Sequence, residues 1–366
     1  MKKKIKTIIL FLSFSLALGW TIVAYGQINI NNNENKIIKL EGKNRYDTTI
    51  KVCNDGWEKS DYVVIVNGQS ICDALCSVPL AKMVDGPVLL TSSNNLNNDV
   101  ECELKRLNCK NAYLIGGEGV ISKNVETSLN KMSIKTTRIA GVNRVETSKK
   151  VAEKISENNG FKSVAIVNGY IGLPDGLSIS ASAGEDGIPI LLTDINDTEN
   201  VTKWVEKFNP NNSFLIGGEG VISNEVYKKA INGYRIGGVD RKETNENIIK
   251  TFYKEKEYNN LFICKDGTTD NNRGLVDSLV ASAYAAKIKA PVLLSGNVFT
   301  DKQKSMIIEE FIYKNHIKKI FAVGGGISEH CLKYLEDNLN YKIKPSGGMP
   351  APVEPTKPEN IKENIN

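Results

Sequence analysis

Two features of this 366-residue chain have the type and spacing to do chemistry: glycine-rich turns and recurrent charges. The stretch LIGGEGVIS stands at Leu114–Ser122 and again, letter for letter, at Leu215–Ser223. Gly117-Glu118-Gly119-Val120-Ile121-Ser122 is one letter short of G-x-G-x-x-G, follows an apolar run and precedes a helical pattern. A dinucleotide site would rest a pyrophosphate on such glycines. It would want Gly or Ala at Ser122 and an acid about twenty residues on. Arg138 and Ile139 stand there instead, and a third copy of the turn degrades to VGGGIS at Val323–Ser328. The glycines are better suited to a tight strand-to-helix turn with positive φ, with Ser122 and Ser223 capping the next helices. No nucleotide and no other cofactor is expected.

Catalytic and metal chemistry find little support. Seven cysteines, at 53, 72, 76, 102, 109, 264 and 331, are odd in number and unevenly spread. Cys72 and Cys76 would share one face of a helix, but the two imidazoles, His316 and His330, lie near the other end of the chain. That is not zinc-ligand spacing, and buried free thiols are the expectation. Neither H-E-x-x-H nor a G-x-S-x-G elbow occurs, and the Glu185-Asp186 carboxylate pair becomes Lys287-Ile288 in the next repeat. No catalytic residue and no metal ligand is assigned.

The polar residues that do recur are one arginine and one aspartate per repeat. Arg45, Arg144 and Arg241 lie in NRYDT, NRVET and DRKET; their companions are Asp73, Asp175 and Asp277. Each arginine opens a helical pattern two residues ahead of Asp47, Glu146 or Glu243, where a cation opposes the macrodipole and needs compensation. Two readings stand. In one, the arginine pairs with the aspartate of its own repeat or of the next, and the pair holds the fold. In the other, three guanidiniums meet a repeating polyanion.

A triplication positions these residues. CDALCSVPLAKMVDGPVLLT from Cys72, PDGLSISASAGEDGIPILLT from Pro174 and VDSLVASAYAAKIKAPVLLS from Val276 align the three aspartates, with successive spacings 175 − 73 = 102 and 277 − 175 = 102. Within a repeat, SKKVAEKI at Ser148–Ile155 sets Val151, Ala152 and Ile155 on one helical stripe. SVAIVNG and PILLT read as buried strands, Asp175 as the N-cap of the small-residue helix between them, and Trp204, Val205 and Phe208 as a polar helix. Pro79 predicts a break or restart in the matching helix of the first repeat. Helices alternating with continuous apolar strands predict an α/β fold of three tandem units, each a parallel sheet covered on both faces.

The ends differ. Lys2, Lys3, Lys4 and Lys6, the apolar run Ile8–Leu18 and Ala24-Tyr25-Gly26 describe a secretory signal peptide over 1–26. An Asn-rich lead-in covers 27–36, the units cover 37–137, 138–234 and 235–344, and a Pro-rich tail covers 345–366. The net charge of +5 loses four lysines with the signal, leaving 5 − 4 = +1. Anion binding must then come from local geometry, and no nucleic acid and, after signal cleavage, no membrane partner is expected.

The run VNGQSICDALCSVPLAKMVDGPVLLT with its two partners, the NRxxT-like helix starts and LIGGEGVIS together resemble the cell wall binding repeat 2 family, from about Ile37 to Lys344. The resemblance implies three Rossmann-like units packed as an intramolecular pseudo-threefold trimer. It implies non-covalent anchoring of an exported protein to an anionic polysaccharide of the Gram-positive wall. It also associates the ILL-type strand with polymer binding: Val88, Leu89 and Leu90; Ile190, Leu191 and Leu192; Val292, Leu293 and Leu294. Read alone, those residues are a buried strand. The third repeat departs most, with Ser295 for Thr and the expanded loop CKDGTTDNNRG. The expectation is a non-enzymatic, secreted wall-binding protein; a peptidoglycan hydrolase (amidase) or a modulator of one, and an exported small-molecule or nucleotide-binding protein, are the alternatives.

Overall fold

The computed structural model describes residues 36–341. The expected signal peptide, all but the last residue of the lead-in, and the Pro-rich tail lie outside the described residues.

Among the described residues twelve strands form three four-stranded sheets, every pairing parallel. The first holds β2 (Tyr62–Asn67), β3 (Val88–Thr91), β4 (Asn111–Ile115) and β5 (Lys135–Ile139) in the order β3-β2-β4-β5. The second repeats it with β6 (Ser163–Asn168), β7 (Ile190–Thr193), β8 (Asn212–Ile216) and β9 (Gly233–Ile236), ordered β7-β6-β8-β9. The third comprises β10 (Asn260–Lys265), β11 (Val292–Ser295), β12 (Lys319–Val323) and β1 (Lys36–Leu40), ordered β11-β10-β12-β1. The first strand among the described residues therefore completes the last sheet, Lys36 opposite Lys319 and Leu40 opposite Val323. Sequence repeat and sheet are offset by one strand.

Between the strands run α1 (Arg45–Gly56), α2 (Ser77–Met83), α3 (Asn98–Arg106) and α4 (Lys123–Lys131) in the first unit. The second has α5 (Arg144–Asn159), α6 (Leu173–Asp186), α7 (Val201–Val205) and α8 (Asn224–Lys229). The third has α9 (Arg241–Phe252), α10 (Leu275–Lys287), α11 (Asp301–Met306), continued by a π-helical segment, and α12 (Glu329–Tyr341). Val151, Ala152 and Ile155 are buried along α5. The segment with Trp204 is shorter than the pattern implies: α7 passes into a 3-10 turn over Glu206–Phe208.

The central helices α2, α6 and α10 pack against one another and join the three units in a shared core, while a second cluster around Ile263 and Phe311 lies within the third unit. Their small residues permit the approach. A Cβ on Gly184 of α6 would lie 2.9 Å from Ala286 Cβ of α10 and 3.0 Å from Val78 Cγ1 of α2. The buried serines of α6 satisfy themselves within the helix: Ser178 Oγ donates to Pro174 O at 2.9 Å and Ser180 Oγ to Gly176 O at 2.7 Å. In the first unit a 3-10 turn, Asp73–Cys76, precedes α2, so Pro79 falls in a first helical turn whose N–H groups need no intrahelical acceptor. Asp175 is not an N-cap. Gly172 holds that position and Pro174 takes the first turn it prefers, which moves Asp175 inside the helix. Among the described residues no helix is long and apolar enough to cross a membrane.

Candidate functional site

Each junction is written by one short stretch: KLEGKNR at 39–45, RIAGVNR at 138–144 and RIGGVDR at 235–241. Its residues have separable duties. Asn44, Asn143 and Asp240 cap α1, α5 and α9, accepting from backbone N–H groups of the first turn. Asp47, Glu146 and Glu243 fold back to accept the backbone N–H of Lys43, Val142 and Val239. Thr48, Thr147 and Thr244 each accept the N–H of the stretch's glycine at 3.1 Å. In the second and third of these stretches the basic residue at the start pins the glycine-rich turn of the neighbouring strand. Arg138 donates to Gly116 O at 2.9 Å and Ile121 O at 2.8 Å and pairs with Glu126 at 2.9 Å; Arg235 donates to Gly217 O at 3.0 Å. Lys39 pairs with Glu329 at 3.0 Å. The recurrence of Lys39, Arg138 and Arg235 was present in the sequence and escaped its reading.

Arg45, Arg144 and Arg241 then open their helices as expected. Each Nη1 donates to the carbonyl just beyond the unit's central strand: Gly68 O, Gly169 O (2.8 Å) and Asp266 O (2.8 Å). That acceptor offsets the unfavourable helix end. Among the described residues no arginine comes within ion-pair distance of Asp73, Asp175 or Asp277. The coupling is longer-ranged and runs round the ring: Arg144 acts on Asp73, Arg241 on Asp175 and Arg45 on Asp277. Burial dominates at all three carboxyls and raises their pKa; the arginine of the following unit opposes it. Asp175 and Asp277 are each pushed up to about 6. Each carboxylate faces the first glycine of its own turn, Gly116, Gly217 or Gly324, where φ is +113°, +115° and +90°. Positive φ and the carboxylate both exclude a side chain there; a Cβ on Gly217 would sit 2.8 Å from Asp175 Oδ2.

Where the first and third units meet, Leu173 of the second joins them and a cleft of about 650 Å³ opens, lined by Arg45, Tyr46, Cys72, Asn272 and Arg273 among others. It holds two guanidiniums and no carboxylate among its lining residues. The expanded loop of the third repeat builds one wall. Asn271 and Asn272 adopt positive φ, and Asn272 Oδ1 accepts from Arg241 at 2.8 Å.

The ILL-type residues lie elsewhere. Val88, Leu89, Leu90, Ile190, Leu191, Leu192, Val292, Leu293 and Leu294 are all sealed in the core. Their strands are sheet edges whose backbone is tied by a polar residue of the first helix. Thr49 Oγ1 donates to Val88 O at 3.0 Å, Ser148 Oγ accepts from Leu192 N at 2.9 Å, and Asn245 bonds both Val292 O and Leu294 N. Any part they play in binding is exerted through the frame they build. The thiols divide. Cys53, Cys76, Cys264 and Cys331 are buried, Cys72 and Cys109 half-buried, and Cys102 exposed, which corrects the expectation that all are buried. Burial raises the Cys76 thiol far above its ordinary pKa. Ser122 and Ser223 both stand at N-caps, but only Ser223 accepts a backbone N–H; Ser122 Oγ donates to Asn94 O instead.

A ring of three fused parallel-sheet units, joined by the same stretch at every junction, defines a repeat-built α/β module. The chain belongs to the cell wall binding domain 2 family, whose model matches residues 39–126, 138–227 and 235–328. Each match begins on the strand that closes the preceding sheet. The chain is 29% identical over 274 residues to the N-acetylmuramoyl-L-alanine amidase LytC of Bacillus subtilis, covering 74% of this chain and 53% of LytC. It is 30% identical over 258 residues to the amidase enhancer of the same organism, covering 70% of this chain and 34% of the enhancer. The structure of Cwp6 from Clostridium difficile superposes with a TM-score of 0.76 at 30% identity, covering 84% of this chain and 48% of Cwp6. The chain thus spans about half the length of LytC and Cwp6 and about a third of the enhancer.

Proposed function

We propose that this chain attaches non-covalently to the Gram-positive cell wall by binding an anionic wall polysaccharide, with the cleft between the first and third units as a contact. The carrying observation is that all three units match the wall-binding family. The cleft supports it: a concave surface bearing Arg45 and Arg273 with no lining carboxylate suits a chain of regularly spaced anions. In this reading the recurrent arginines and aspartates serve the ring, Arg45 adding positive potential to the cleft from its fixed place, and exposed cations such as Arg273 meet the polymer. The test is co-sedimentation of the full chain with native walls and with walls stripped of their secondary polymer. Binding to native walls, weakened by salt through screening and lost on stripped walls, is the expected result. Equal binding to both would overturn the polysaccharide reading.

A second reading, a peptidoglycan hydrolase or its modulator, draws on the similarity to LytC and the amidase enhancer. A clearing band in a zymogram on purified walls, or stimulation of an added amidase, would favour it.

A further inference from the structure

We infer that the groove between β9 and α9 is a second saccharide site, made for an anionic sugar unit of the wall polymer. The inference rests on the polysaccharide reading above but concerns a surface away from the cleft. The groove encloses about 460 Å³ and is lined by Tyr234, Arg235, Asn247, Lys250, Thr251 and Lys254, with Ile236 and Gly237 at its base. Its lining holds three cations and no carboxylate. β9 is the outermost strand of its sheet, so the groove runs along an open edge.

The side chains divide into a platform and a pair of charges. Tyr234 is 55% exposed, and its ring stands edge-on to Phe214, which packs in turn on Phe252. A rigid, half-open phenol of this kind offers a face for the apolar side of a pyranose. Arg235 is committed to the carbonyls of Gly217 and Ser223, so it supplies positive potential without being free to move. Lys250 and Lys254 are exposed, and neither ammonium has an ion-pair partner among the described residues. Lys250 acts on Glu243 and Glu246 only at longer range; Glu243 pairs with Lys302, and Glu246 is buried.

Pseudo-symmetry supplies the control. The positions matching Lys250 and Lys254 are Glu153 and Glu157 in the second unit and Asn54 and Glu58 in the first. Glu153 is neutralised by Lys207 at 3.0 Å and Glu157 by Lys154 at 2.5 Å. Tyr234 is matched by Thr137 and Ile38. The three junctions share one frame, and only here do the matching positions carry two lysines without an ion-pair partner together with an aromatic. The frame does not need those residues, since its other two copies do without them. The anion can be a phosphate or a uronate carboxylate; both fit between two ammoniums.

The test transplants the second unit's residues into the third. The full chain, its Lys250→Glu/Lys254→Glu double variant and its Tyr234→Thr variant are titrated against native walls at several salt concentrations, with Lys123→Glu/Lys131→Glu on α4 as a control of equal charge. The double variant should bind about tenfold more weakly or worse, with a flatter salt dependence. Tyr234→Thr should weaken binding with the salt dependence unchanged, and all three variants should melt with the parent chain. Cold hydrofluoric acid treatment, which cleaves phosphodiesters, should bring the parent down to the double variant if the anion is phosphate; loss only on amidation of wall carboxyls assigns a uronate. If the parent does not bind native walls, the polysaccharide reading itself fails. If the parent binds and the double variant matches it, or the α4 control weakens equally, the groove is not a site.

Discussion

Replacing Asp175 by asparagine should make this protein more stable at alkaline pH and leave it unchanged in acid. Asp175 is 7% exposed on the first turn of α6, and burial drives its pKa from 3.8 to about 6 despite Arg241 and the hydroxyl of Thr244. A shift of about 2 units corresponds to ~3 kcal/mol of preference for the protonated form in the fold. The folded-state pKa lies above the unfolded one, so the proton stabilises the fold fully below about pH 4, and that contribution is lost as pH rises through about 6. The amide would be neutral at every pH and nearly the same shape, so Asp175→Asn should gain up to ~3 kcal/mol over the parent at pH 8 and nothing at pH 4. Urea unfolding followed by tryptophan fluorescence at both pH values measures the difference. A variant less stable than the parent at pH 8 would mean that the carboxylate is held in a net stabilising pair with Arg241, and the argument would be refuted.

Three further outcomes follow from the packing. Gly184→Val pushes a branched side chain between Val78 and Ala286 and should cost about 1–3 kcal/mol, read as a lower urea midpoint. Arg138→Ala strips two carbonyls of the Gly116–Ser122 turn of their donor, which should cost about 1–3 kcal/mol and speed amide exchange in that turn. With an aromatic disulfide reagent, Cys102 should react first and Cys72 and Cys109 slowly, while Cys53, Cys76, Cys264 and Cys331 react only on unfolding; fast reaction of any of these four would contradict the packing.

Much of the ring was legible because repetition exposes what a fold needs three times. Asp73, Asp175 and Asp277 stood out by their spacing, as did the arginines, and both sets lie at the junctions. Which arginine faces which aspartate was not legible, because it depends on how units close on one another. The same is true of β1: nothing local in KIIKL says that it pairs with a strand almost three hundred residues away, since parallel pairing leaves no turn signature. Asp175 has the residue type of a cap but lies one turn inside α6, because Gly172 and Pro174 start the helix earlier. Lys250 and Lys254 were missed for another reason. A search for recurrence passes over residues whose meaning is that they differ from their counterparts.

The most direct measurement sets the frame against the contact surface by recording melting temperature and native-wall retention on the same samples of Arg144→Ala and Arg273→Ala. Arg144 binds Gly169 O and lies 4.5 Å from the Tyr170 ring centroid, whereas Arg273 is exposed at the cleft. Arg144→Ala should melt lower but be retained on walls below its transition, and Arg273→Ala should melt with the parent but be retained poorly. Unchanged melting with lost retention for Arg144→Ala, together with full retention for Arg273→Ala, would contradict that division between frame and contact surface.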